Sequence, residues 1–110
     1  MKKHMDWAQI EIGIDQAHAT IQALLVNPPT NKYAVRPQLL REIAHVLPQA
    51  KTLRGERDLN TINNYFQGLV RYSILDSWQC ETEMEKLLAS QLIELARTYE
   101  KWYETRPVEN

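Results

Sequence analysis

The sequence predicts an all-α fold, a compact antiparallel bundle of four to five helices. Three observations carry that prediction. Apolar residues recur at steps of three and four along four segments, and no useful length of chain alternates with a period of two. Prolines and capping residues fall between those segments. The connections are short, which favours antiparallel neighbours.

The first helix is expected over residues 6–27. Asp6 is placed to accept from the amide three residues on, with Gln9 in the reciprocal capping position. Trp7, Ile10, Ile14, Ala17, Ile21 and Leu24 form one helical stripe, and "NPP" at Asn27–Pro29 stops it, because proline lacks an amide and restricts its predecessor. The second helix is expected over 37–47, with Pro37 in its first turn and Leu40, Ile43, Ala44 and Leu47 on its apolar face. Pro48 is read as closing it. In the connector "QAKTLRGERDL", Gly55 relaxes the turn and Asp58 caps a third helix over 58–76, with a stripe of Leu59, Ile62, Phe66, Leu69 and Ser73. "TEME" from Thr82 is a capping box that opens a fourth helix over 82–105. Its stripe is Met84, Leu88, Leu92, Leu95, Tyr99 and Trp102, and Pro107 ends it.

A chain of 110 residues is read as one domain, with 44% hydrophobic and 25% charged residues, an ordinary globular composition. Three glycines leave no glycine-rich loop for a phosphate, and a lone cysteine, Cys80, leaves no disulfide framework or multi-cysteine zinc site within one chain. The first residues place Asp6, Glu11 and Asp15 where a signal peptide needs an apolar run, and no stretch approaches ~18 uninterrupted apolar residues. A cytoplasmic protein without membrane spans is the expectation.

Helical geometry bears on several chemistries. Carboxylate-bridged metal sites in bundles use Glu-x-x-His on facing helices, and the chain has "DQAH" (Asp15–His18) and "EIAH" (Glu42–His45). At about 100° per residue, His18 lies within roughly 60° of its helix's apolar stripe, whereas Glu42 and His45 fall on the opposite side of theirs, toward solvent. The third helix offers no interior acid, so no metal or other cofactor is expected. Cys80, Ser73, Ser77 and Ser90 sit in no nucleophile signature. A mutase of the chorismate type would need basic residues projecting into the bundle, and the first helix has none. No catalysis and no small-molecule substrate are expected.

The charge is unevenly spread. Net charge is −1, but residues 30–75 carry seven Lys or Arg against three acids, while residues 76–110 carry four against eight. Lys51, Arg54 and Arg57 lie within seven residues, preceded by Lys32 and Arg36. Arg71 on the third helix sits beside Tyr65 and Tyr72, which share one side. Guanidinium groups with aromatics suit phosphate contact and base stacking. Connectors at successive junctions of an up-down bundle lie at opposite ends, which works against a single patch.

A second feature concerns partners. Ala8, Ile12, Ala19, Ala23 and Val26 occupy about 100° to 160° on the first helix, away from its stripe. Small apolar residues on a second face suit either a helix buried on both sides or an interface with another protein or a second copy. Near the chain's exit, Tyr103 lies off the core stripe and is the aromatic most available to a partner. The expected role is a non-catalytic accessory, adaptor or inhibitor acting by protein docking within a larger assembly. The alternative is a helical subunit of a nucleoprotein complex, by analogy of size and class with CRISPR-type effector subunits, contacting the nucleic-acid backbone through the basic centre.

Overall fold

The computed structural model describes residues 7–30, 36–74 and 82–106, apart from the side chain of Ser73. The chain is all-α: α1 (Trp7–Val26), α2 (Pro37–Thr52), α3 (Glu56–Gly68), which runs on into a π-helical turn over Leu69–Ile74, and α4 (Glu83–Thr105). The expected Asp6 cap, Lys32, the end of the third helix beyond Ile74, Cys80 and Pro107 lie outside the described residues.

The apolar stripes do what their spacing requires. Ile10, Ile14, Ala17, Ile21 and Leu24 of α1 are buried, as are Leu40, Ile43 and Leu47 of α2. Leu59, Ile62, Phe66 and Leu69 join them from the third segment, and Leu88, Leu92, Leu95 and Tyr99 from α4. Burying such side chains contributes on the order of 1.5–3 kcal/mol each. Paired residues give the topology. Trp7 stacks on Trp102 while Ala23 and Met84 line one depression, so α1 and α4 run antiparallel. Asp15 meets Lys51 across α1 and α2. Asn60 meets Tyr103, and Gln67 meets the Ala96 carbonyl, across α3 and α4. α1 therefore packs on both α2 and α4, and α3 packs on the other side of α4. Gly13 permits the close approach of α1 to α4, since a Cβ there would lie 3.3 Å from Leu95 Cδ1.

The structure departs from three local expectations. Pro48 does not close α2; the helix continues through it to Thr52. Ala50, fully buried, and Lys51, paired with Asp15, hold the last turn in place, and exposed Pro48 leaves the Ala44 carbonyl without its usual amide donor. Asp58 does not cap α3. Gly55 occupies the N-cap and Asp58 lies in the first turn, where a carboxylate is favoured by the helix dipole. Gly55 has an extended backbone (φ −63°) that any residue adopts, so it does not supply a special turn. Beyond Leu69 the described core continues at Ile74, which is buried within the π-helical turn and its i→i+5 hydrogen bonds.

The α4 start matches the sequence in detail. Thr82 Oγ1 accepts from the Glu85 amide (3.2 Å), and the Glu85 carboxylate accepts from the Thr82 amide (3.3 Å) and hydroxyl (3.0 Å). Met84, expected in the core stripe, is 40% exposed, and Glu85 is buried in its place, its carboxylate held by this box.

Replacing Pro48 tests the α2 account. An interior proline costs ~3 kcal/mol or more, partly offset by ~0.4–1 kcal/mol from the stiffer unfolded chain. Pro48→Ala is expected to stabilise the protein by about 2 kcal/mol or more in urea unfolding. A destabilised variant would show that the helix depends on the ring there.

Candidate functional site

At one end of the bundle, where α1 and α3 begin and α2 and α4 finish, aromatic residues converge. Tyr99 lies edge-on to Phe66 (5.3 Å between centroids) and to Trp7 (6.1 Å), and Trp7 packs against Trp102 at 4.5 Å. Each ring brings a large apolar area, and such pairs add ~0.5–1.5 kcal/mol beyond it. The Arg54 guanidinium, carried by the α2–α3 connector, sits 3.6 Å from the Trp7 ring centroid and 5.8 Å from that of Trp102. It ties the connector to α1 and α4 by cation–π attraction. Arg106 makes a comparable tie, lying over the Tyr103 ring at 3.8 Å and pairing with Glu56.

These contacts redistribute the basic centre. Lys51 donates to Asp15 at 3.0 and 3.2 Å, and Arg54 is spent on the tryptophans. Of the three charges in the connector, Arg57 alone is exposed without an ion pair or ring contact among the described residues. Arg36, the N-cap of α2, stands at the far end of that helix from Arg54, and exposed Arg71 lies toward the same far end. The structure thus does not bring these side chains into one patch. Tyr65 is half-buried against Phe66, with its hydroxyl directed to Glu42 Oε2 at 3.5 Å, while Tyr72 is exposed. His18 borders the core, and Glu42 and His45 face outward as their helical angles required. Among the described residues no cluster of three His, Cys, Asp or Glu is placed to hold a metal ion.

The second face of α1 has a different fate. Ala8, Ile12, Ala19, Ala23 and Val26 are all exposed, Ile12 at 56% and Val26 at 87%. The alternative that α1 is buried on both sides is thereby overturned: α2 and α4 cover only its stripe side. Met84 and Leu87 of α4 are also exposed, at 40% and 47%. Spacing gives no signal for these two, since it puts Met84 in the core stripe and leaves Leu87 off it. Two open depressions lie along the α1–α4 seam. One, of about 350 Å³, is bordered by Ile12, Gly13, Gln16, Gln91 and Glu94. The other, of about 620 Å³, is bordered by Ala23, Asn27, Pro28 and Met84. Tyr103 is less available than its position suggested: it is half-buried, its hydroxyl donates to Asn60 Oδ1 (3.3 Å), and Arg106 covers its ring.

Compared with known proteins, the chain matches no family model, no curated protein and no solved structure. No helix among the described residues is long and apolar enough to cross a membrane.

Two titratable groups carry the imprint of packing. Burial pushes the Tyr99 hydroxyl up to about 12; the positive charge of Arg54 opposes this, and Tyr103 and Asp58 reinforce it. Burial likewise raises Tyr65, with the Glu42 carboxylate adding to the effect. Both groups hold their protons more tightly when folded than when unfolded, so their contribution is intact below pH ~10 and is lost as pH rises through the folded values. Stability should therefore fall between pH ~10 and 12, and circular dichroism with phenolate absorbance follows it directly. Because the Tyr99 hydroxyl has no hydrogen-bond partner among the described residues, Tyr99→Phe is expected to be neutral or slightly stabilising at pH 7 and to soften the alkaline loss. Arg54→Ala should destabilise by about 1 kcal/mol in denaturant unfolding. An unchanged midpoint would mean that the guanidinium contributes nothing to holding the connector.

Proposed function

We propose that the protein works without catalysis, as a docking subunit that joins a protein partner through the outer face of α1 and the adjoining start of α4. One observation carries this reading: exposed Ile12 of α1 and Met84 of α4 each line one of the two depressions along the α1–α4 seam, exposed Val26 and Leu87 lie on the same two helices, and the only charged residues of α1 are Glu11 and Asp15. Contiguous exposed apolar surface is characteristic of interaction sites, and single scattered apolar residues are not. The protein then serves as an accessory, adaptor or inhibitor in a larger assembly.

Contact with nucleic acid is the second reading, and exposed Arg57, Arg71 and Tyr72 favour it. It draws on fewer free charges than the sequence suggested, because Lys51 and Arg54 have internal partners. Each phosphate contact contributes about −0.9 to the slope of log affinity against log salt for duplex DNA, so this reading requires a measurable slope that Arg57→Ala reduces.

The docking reading is tested by affinity capture from the native host, comparing the wild-type chain with Ile12→Glu and Leu87→Glu. Both positions are exposed, so folding should survive, as circular dichroism would verify. Partners retained by the wild type should be lost from both variants. Identical captures from all three would exclude this face.

A further inference from the structure

We infer that the occupant of the α1 face is a second copy of this chain, its α1 antiparallel to the first about a two-fold axis at Ala19; this rests on the docking reading above. The spacing comes first. Ile12, Gln16, Ala19, Ala23 and Val26 are separated by 4, 3, 4 and 3 residues, the a/d repeat by which one helix seats against another. The two largest exposed apolar residues of this stripe, Ile12 and Val26, stand seven positions either side of Ala19, about 10 Å along the axis in each direction.

Each end also carries a depression. Ile12 borders the 350 Å³ one, and the 620 Å³ one lies at Ala23 and Asn27, beside Val26. A two-fold axis at Ala19 sets Ile12 of each copy over the larger depression of the other, and Val26 over the smaller. The surface is thus self-complementary, as an isologous interface must be. Ala19 at the axis lets the helices approach closely.

Charge is compatible with the same occupant. Nothing on the face itself is basic, and the acids near it have internal partners: Asp15 pairs with Lys51 at 3.0 Å, and Glu94, at the rim of the smaller depression, with Arg97 at 3.8 Å. A second copy meets this face without like-charge repulsion and without stranding a charge. A face ~30 Å long and two helix diameters wide offers on the order of 600 Å² per copy, close to the ~800 Å² each partner buries in a standard complex. That area suits a reversible dimer.

The test is sedimentation equilibrium over a concentration series, joined to cysteine cross-linking in a Cys80→Ser background. A reversible dimer is expected, weakened at least about tenfold by Ile12→Glu or by Ala19→Glu. Under mild oxidation Ala19→Cys should link to itself. A mixture of Ile12→Cys and Val26→Cys chains should link to each other, and Ile12→Cys alone should not. A monomer at every concentration, a dimer indifferent to Ile12→Glu, or Ile12→Cys linking to itself each overturns the proposal. The capture experiment separates the two claims: a strict monomer whose host partner is lost in Ile12→Glu refutes the second copy and keeps the docking face.

Discussion

The packing of α1 against two helices at once is the constraint on which the remaining structure depends. Its stripe of Ile10, Ile14, Ala17, Ile21 and Leu24 is buried between α2 and α4, with Gly13 admitting Leu95 at close range. One stripe satisfies both neighbours, because residues three and four apart cover about 100°, a little over a quarter of a helix's circumference. The opposite side of α1 is thereby left outside the core. Its alanines are small enough that no internal helix is required to cover them, and its Ile12 and Val26 are large enough to give the surface an apolar character.

The aromatic end supplies the second organising interaction. Four of the bundle's helix termini meet there, and Trp7, Phe66, Tyr99 and Trp102 come from three different helices. Arg54 closes that end by lying on Trp7. The cation stays exposed on one side while the other lies on a ring face, and its field acts on the buried Tyr99 hydroxyl. The same logic applies to Lys51, which pairs with Asp15 at the edge of the outer α1 face. Two of the three charges that look like an anion site in the linear sequence are therefore structural ties, and by pairing they leave the α1 face electrically quiet.

How much was legible in advance differs between the core and the site. The core positions of α1, α2 and α4 follow from spacing, since burial and helical periodicity select the same residues. Thr82 and Glu85 were legible as a capping box because its interactions are local. Pro48 was misread because its cost is local and small beside the tertiary contacts of Ala50 and Lys51 beyond it. The π-helical turn that carries buried Ile74 was invisible for a related reason: such a turn is a response to packing and has no strong signature of its own. Met84 and Glu85 exchanged core and surface roles because a capped acid satisfies its carboxylate locally and can then be buried.

By itself the sequence determined the all-α class, the four helical segments, the sides of α1, α2 and α4 that face inward, and the existence of a second small-residue face on α1. These are properties of periodicity and of local hydrogen bonding, and they need no knowledge of neighbours. Only the tertiary structure decided that this second face stays open, that Met84 lines a depression beside it, and that Lys51 and Arg54 meet Asp15 and Trp7. Those outcomes depend on which helix lies beside which, and partners 36 and 47 residues apart in the chain meet only once the bundle has closed.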